Sequence, residues 1–558
     1  MNPCTQMYLV SSLEKVFFNQ TPTQSVYRLA GLRNESISFQ TAIRYDGARR
    51  KTTFLVIESP IAEYIRCREV VPVPSGLPAY PKHDSNYLRT EPGLYPDLLK
   101  EINDKTVILS PCQWMALWFD ICPNDKLCPG IYPITVKLND KTGAEMASVN
   151  AEITVLDAVL PEQKLIYTQW FHADCLADYY NISIFSDEHW RIMEKFIQTA
   201  VRLGINMILT PLVTPPLDTA VGAERPTVQL LDISINNGEY SFCFERLKKW
   251  IDICEACGIK YFEFNHLFTQ WGAEFCPKII AIEDGKEKRI FGWDTKSNSD
   301  EYRHFLSAML PALTEKLREW GMESRCWFHI SDEPKEEHIE NYLTAKQMVQ
   351  PYLEGFPVID ALSRVEFYDR GIVKNPVPAT NHIEPFLEMD INGLWTYYCS
   401  AQSTDVSNRF FSMPSSRNRI IGYQLYKYGI TGFLHWGYNF YYSQLSIRKI
   451  NPYCNTDADY AFPSGDAFSV YPGVDGKPEE SITAMVFLHA LQDIRALELL
   501  ESLTDKEFVI NLIEEGLTVP LTFSVYPQSQ DYILDVRERI NNEIIKRQTK
   551  SCVKGDYN

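Results

Sequence analysis

The strongest constraint on this chain is a rhythm that sets in at residue 165. Eight short apolar runs, at 165–171, 205–209, 260–264, 326–330, 357–362, 376–380, 393–398 and 432–436, alternate with stretches of helical periodicity, as at 187–203, 241–257, 300–321 and 335–353. A buried strand followed by an amphipathic helix, repeated, predicts a parallel sheet whose crossovers are helices. Eight such units in roughly 330 residues fit a (β/α)8 barrel better than an open doubly wound sheet. No GxGxxG and no GxxxxGK(S/T) follows a strand, so nothing points to a nucleotide-binding open sheet. The apolar segment 481–501 predicts a helix that closes the barrel. The tail adds a strand-like run at 521–526 and a polar helix at 531–547, too short to fold alone and expected to pack on the barrel.

The first 160 residues follow a different pattern. Runs at 36–43, 51–57, 114–121, 131–137 and 151–155 alternate apolar and polar residues and are separated by Pro- and Gly-rich turns. That pattern predicts half-buried antiparallel strands. The expected fold is therefore α/β plus all-β: an N-terminal β-sandwich over 1–160, then a (β/α)8 TIM barrel with a C-terminal extension over 161–558.

Composition narrows the function. The chain has 558 residues, 45% apolar and 23% charged, with 72 acidic against 54 basic residues and a net charge of −18. An acidic surface without a basic run offers phosphate backbones no attraction, so nucleic acid is not an expected partner. No stretch reaches the roughly 20 apolar residues that span a bilayer. The first twenty residues lack a basic start and a sustained apolar core, so no signal peptide is expected and the expected location is cytoplasmic. The 14 cysteines are then expected to be free thiols. Cys254 and Cys257 form a CxxC without a second Cys or His pair at zinc-binding spacing, and no metal or organic cofactor is implied.

In a barrel of this kind, chemistry sits at the carboxyl ends of the strands. Run one ends in Trp170 and His172, and run three in Glu263, Asn265 and His266, with Trp271 shortly after. Run four ends in His329, Ser331, Asp332, Glu333 and Pro334; run seven carries Trp395 and Tyr397, and run eight Trp436 and Asn439. Aromatic platforms stack on sugar faces while Asn, His and carboxylates bond hydroxyls, so a carbohydrate is the expected substrate. Asp332-Glu333 is the sharpest motif. Before Pro334 and a helix, either carboxylate can also serve as a helix cap. Against that reading, the pair ends a strand and is ringed by aromatic strand ends, and adjacent like charges push their pKa values apart, which suits an acid and a stabiliser. His172 reads either as a site group or as a satisfied structural histidine, and Glu263 as an internal partner of a strand-four residue.

The motifs Gln113-Trp114-Met115-Ala116-Leu117-Trp118, Pro129-Gly130-Ile131-Tyr132, His329-Ile330-Ser331-Asp332-Glu333-Pro334, Trp395-Thr396-Tyr397 and Gly432-Phe433-Leu434-His435-Trp436 with Asn439, in this order, resemble glycoside hydrolase family 123 and its wider group, domain of unknown function 4091. The resemblance covers most of the chain. It implies hydrolysis of β-linked N-acetylgalactosamine with retention, the substrate's own 2-acetamido group serving as nucleophile. It further implies Glu333 as general acid/base and Asp332 as the group that orients and stabilises the acetamido nitrogen. Tyr397 would then bond the acetamido carbonyl, and Trp395 would wall its methyl pocket. At the start of the closing helix the chain departs from relatives, carrying Ile482-Thr483-Ala484-Met485 where they have an Arg and acidic residues. Two alternatives remain: a glycosidase of another sugar that recruits Glu263 or Asp360 as second carboxylate, and a non-catalytic carbohydrate-binding protein.

Overall fold

The computed structural model describes residues 4–24, 29–123, 127–270, 272–389 and 391–555, with side chains through residue 548. Its first third is β-rich. A seven-stranded sheet runs in the order Thr5–Ser11, Ile37–Tyr45, Trp114–Ile121, Ile65–Ser75, Gly93–Glu101, Pro478–Ser481, Val470–Pro472. A five-stranded sheet runs Leu29–Arg33, Glu145–Val159, Gly130–Asn139, Lys51–Glu58, Thr106–Leu109. Leu117, Phe119 and Phe39 of the first share a core with Leu55, Ile134, Val136 and Ile153 of the second. Phe39 and Phe119 stack with ring centroids 4.7 Å apart.

The larger sheet is covered on both faces. Ala116 and Trp118, on the face opposite Leu117 and Phe119, belong to the core shared with the α/β region. A strand buried on two sides reads as a nearly continuous apolar run, and Trp114–Ile121 does. Ile65–Ser75 was not legible because it carries Pro72 and Pro74, and Pro is read as a strand breaker. Its register shifts between Val71 and Pro72, and Pro72 stands opposite Pro96, where neither residue has a donor to lose.

The last two strands of the seven-stranded sheet come from beyond residue 470, so this sheet crosses the boundary expected at residue 160. Buried Arg68 ties the junction together, donating to Asp120 in one strand and Glu480 in another.

Eight parallel strands follow in the α/β region, close to the expected runs: β1 (Ile166–Gln169), β2 (Met207–Thr210), β3 (Tyr261–Phe264), β4 (Cys326–Trp327), β5 (Ile359–Leu362), β6 (Asn375–Pro378), β7 (Trp395–Tyr397) and β8 (Gly432–His435). Six of them form one sheet in the order β4-β3-β2-β1-β8-β7, and β5 pairs with β6. Single parallel bridges, Phe328 with Val358 and Ala379 with Tyr397, stand where the two sheets meet. Gly432 is required in β8: a Cβ there would fall 2.0 Å from the Trp395 ring.

The crossovers are uneven. Helices Asp187–Arg202, Glu245–Cys257, Asp300–Glu319 and Ile339–Val349 follow β1 to β4, but β5 and β6 are followed by single turns, Glu366–Asp369 and Glu384–Leu387. A four-stranded excursion, 232–243 and 279–291, is inserted after β2 and β3. The helix Ile482–Leu503 is capped by the Ser481 side chain and buried on most sides. The strand expected at 521–526 is absent: the segment is irregular, anchored by buried Leu521 and Phe523, and the helix Gln530–Gly555 follows. Its apolar residues fill a gap rather than pair with a sheet.

Candidate active site

One cleft gathers the carboxyl ends of these strands. It measures about 230 Å³ and is lined by Trp170 and His172 after β1, Asp218 after β2, Gln270 after β3, Asp332 and Glu333 after β4, Tyr397 and Ser400 after β7, and Trp436 and Gln444 after β8. Tyr397 donates its hydroxyl to Glu333 Oε1 at 2.5 Å. Buried beside the Glu333 charge, the tyrosine's pKa is pushed far up, so it stays a donor. Glu333 has a φ of 42°, in the left-handed region that costs a non-glycine residue about 1 kcal/mol or more. That backbone turn sends Glu333 into the cleft beside Asp332. Neither carboxylate caps a helix: the turn that follows, Glu336–His338, is capped at Lys335. Desolvation, then the charge of Glu333, raises the Asp332 carboxyl well above the usual carboxylate range, while nearby His329 pulls it down.

Beneath the cleft lies a buried polar cluster. Glu263 in β3 accepts from Thr168 Oγ1 at 2.7 Å and Trp170 Nε1 at 2.8 Å, and lies 2.6 Å from His329 Nε2. Asp360 in β5 accepts from the Ile330 amide at 3.0 Å and from Tyr342, and its Oδ1 stands 3.6 Å from His329 Nδ1. Burial opposes a charge on His329, but contacts with Asp360 and Glu263 outweigh it and push the pKa up to about 10. His266 stacks on His329 at 4.4 Å with the rings 27° apart, and burial plus the His329 charge hold it neutral. His266, His329 and Asp360 each place one donor atom within 4.8 Å of the others. Nearly parallel rings put their lone pairs in nearly parallel planes, and both nitrogens of His329 already face carboxylates. The arrangement suits an imidazolium better than a metal ion.

On the opposite wall His172 and Asn439 are saturated. His172 Nε2 lies 3.0 Å from the Trp436 carbonyl and Nδ1 lies 3.1 Å from Arg225 Nη2, which fixes a neutral tautomer. Burial and the Arg225 charge lower its pKa to about 3. Arg225 is itself clamped by Asp174 through two 2.7 Å bonds. Asn439 accepts from the His172 amide at 2.9 Å and donates to the His172 carbonyl at 3.0 Å. Trp436 forms part of the wall, its Nε1 donating to Asp466 at 2.9 Å. Desolvation carries the Asp466 carboxyl up to about 7.

Of the residues expected at the site, the fold brings Asp332, Glu333, Tyr397, Trp170, His172 and Trp436 to the cleft surface. Three others are reassigned. Asn439 is fully buried and clips the β1 and β8 ends together; Asn265 accepts from the Val213 amide and donates to the His266 carbonyl; His266 lies under the cleft. The amide groups of Asn439 and Asn265 hold the scaffold. Trp395 is buried against Trp327 with centroids 5.1 Å apart, below the cleft floor. Trp271 lies outside the described residues. Sequence reasoning missed Asp218, Gln270, Ser400 and Gln444. Asp218 follows a Pro-rich stretch, Thr214-Pro215-Pro216-Leu217, and lies eight residues beyond the end of β2, where no strand-end pattern marks it. Desolvation raises the Asp218 carboxyl to about 6, and its Oδ2 accepts from the Leu445 amide.

The model of the glycoside hydrolase 123 catalytic domain matches residues 170–500. The chain belongs to glycoside hydrolase family 123. It is a glycoside hydrolase. Among solved structures, a family 123 glycoside hydrolase from Clostridium perfringens, studied for glycolipid glycan hydrolysis, matches at 16% identity over 99% of both chains with a TM-score of 0.75. A family 5 mannosidase from Rhizomucor miehei (10% identity, 62% of this chain and 94% of that one, TM-score 0.33) and a family 2 β-galacturonidase from Eisenbergiella tayi (9%, 88% and 72%, TM-score 0.32) are too distant to carry an argument. Among curated proteins nothing matches.

Proposed function

We propose that this family 123 enzyme is a retaining, exo-acting β-N-acetylgalactosaminidase that uses the substrate's 2-acetamido group as nucleophile. The observation that carries the proposal is the adjacency of Asp332 and Glu333 on one turn, with Tyr397 bonded to Glu333. A nucleophile and an acid of the ordinary retaining kind flank the sugar about 5 Å apart, whereas neighbours on one turn approach it from one side. Glu333 protonates the leaving oxygen and then activates water. Asp332 balances the charge that develops on the acetamido nitrogen as the oxazoline ring closes. Tyr397 is placed to bond the acetamido oxygen, and Trp170 and Trp436 wall the ring.

The architecture in this proposal is a closed (β/α)8 barrel behind an N-terminal β-sandwich, with the covalent boundary near residue 160. The bridges at Phe328–Val358 and Ala379–Tyr397 support closure, and the core shared by the two β-sheets supports the sandwich. Neither Glu263 nor Asp360 supports a two-carboxylate scheme, because both are buried, bonded and away from the cleft lining. Asp218 is the carboxylate that such a scheme would use, since it alone of the three faces the cleft.

A panel of aryl glycosides with and without 2-acetamido groups tests the sugar, and glycolipid glycans, the subject of work on the Clostridium perfringens enzyme, are the first natural substrates to try. A thiazoline analogue of N-acetylgalactosamine should inhibit strongly as a mimic of the intermediate. A stable mass increase with a 2-deoxy-2-fluoro sugar, together with indifference to the thiazoline, would refute the substrate-assisted route and direct attention to Asp218.

A further inference from the structure

The cluster under the cleft does something that the proposed chemistry needs and does not itself supply. Asp332 must be an anion to meet a positive nitrogen, yet Glu333, Asp360 and Asp218 crowd it with like charge and burial removes water. A fixed positive charge nearby opposes that. His329, three residues earlier on the same strand end, is placed to carry such a charge: it is 1% exposed, 2.6 Å from Glu263 on one ring nitrogen and 3.6 Å from Asp360 on the other.

Each neighbour of that ring favours the charge or tolerates it. From β3 come Glu263, locked by Thr168 and Trp170, and neutral His266 stacked at 4.4 Å. From β5 comes Asp360, locked by Tyr342 and the Ile330 amide. From β1 the Trp170 ring meets it edge to face at 6.3 Å, and from its own strand end Asp332 follows. A buried cation without partners would be expelled, but two fully buried carboxylates, on β3 and β5, keep this one in place.

We propose that His329 is a positioning residue of the reaction: a buried imidazolium, bonded to Glu263 and flanked by Asp360, whose charge favours the anionic form of Asp332 beneath the sugar. The idea rests on the substrate-assisted reading for its purpose, but the charge itself is testable without any substrate. With ring-labelled histidine in the whole wild-type protein, nitrogen NMR should show one imidazole protonated on both nitrogens at pH 8, where an ordinary histidine is neutral. That signal should vanish in His329→Gln. If every ring is neutral at pH 8, the proposal is overturned, whatever the enzyme's substrate. Kinetics on the best aryl glycoside give the second readout. Removing the cation raises the pH at which Asp332 ionises, so the acidic limb of kcat/KM should move up by about 1 unit in His329→Gln, with activity recovering toward higher pH. A loss that is uniform across pH, with the limb unmoved, would mark His329 as merely structural. Should the Gln variant fail to fold, the wild-type spectrum still decides whether the charge exists. Should no 2-acetamido glycoside be cleaved by any form, the functional reading fails while the spectrum stands.

Discussion

On the side of the cleft built after β1 and β8, every polar side-chain atom of His172 and Asn439 is bonded within the protein. On the side built after β4 and β7, Asp332 and Glu333 face the cavity, with Glu333 held on one oxygen by Tyr397. Both walls use the same vocabulary of aromatic rings, histidines and carboxylates. They differ in saturation. A group whose hydrogen bonds are already made gains little from a sugar, whereas groups held in place but left open to the cavity are preorganised for charge that develops during reaction. In the proposed mechanism, His172 and Asn439 are therefore scaffold, while Asp332 and Glu333 are machinery.

Substitutions should separate the walls. The largest effect is expected for Glu333→Gln: turnover falls by at least about a hundredfold, the scale of a lost general acid, while the unfolding midpoint stays put because the swap is isosteric. Near wild-type turnover would remove Glu333 from the role. Asp332→Asn should cost nearly as much on 2-acetamido substrates and weaken thiazoline inhibition in parallel, measured as Ki. Tyr397→Phe should lower kcat about tenfold, the value of a hydrogen bond to a charged group. Asn439→Ala should do the reverse. It should cost about 2 kcal/mol in urea unfolding by stranding the buried His172 amide, with kcat of the folded enzyme within about threefold. A collapse of kcat with stability intact would place Asn439 back in the machinery.

The two histidines give a finer contrast. The folded pKa of His172 is depressed to about 3 from the ordinary 6.5, so between these values the unfolded chain binds a proton that the native one refuses, and stability falls as pH drops through that window. His329 runs the other way. Its folded value, about 10, exceeds the unfolded one, so its contribution is complete below about pH 6.5 and is lost as pH rises toward 10. Urea unfolding of His329→Gln against wild type should show a difference that shrinks above pH 7, and an unchanged difference would contradict the sign.

Why one wall was legible in the sequence and the other was not follows from range. Asp332 and Glu333 are neighbours at the end of one apolar run and Tyr397 lies at the end of another, so each is marked locally as a strand-end residue. The saturation of His172 depends on Asn439, 267 positions away, and on Arg225, in a loop that no periodicity marks. The fold shows the same division. Apolar runs such as Trp114–Ile121 were readable, but Ile65–Ser75 was masked by two prolines whose cost disappears where the register shifts.

The seven-stranded sheet has a consequence for how this chain is made. Gly93–Glu101 pairs on its outer side with Pro478–Ser481, so its neighbour does not exist until most of the protein has left the ribosome. The roughly 380 residues between them take about 20 to 75 s to synthesise at ordinary elongation rates. Through that interval a nascent strand edge stands open, with Leu98 and Leu99, both buried in the finished protein, along it. Open apolar edges of this kind recruit other chains. Coexpressed chaperones, or slower synthesis at lower temperature, should therefore improve the soluble yield of this enzyme, and cutting it at residue 160 should leave an insoluble N-terminal fragment.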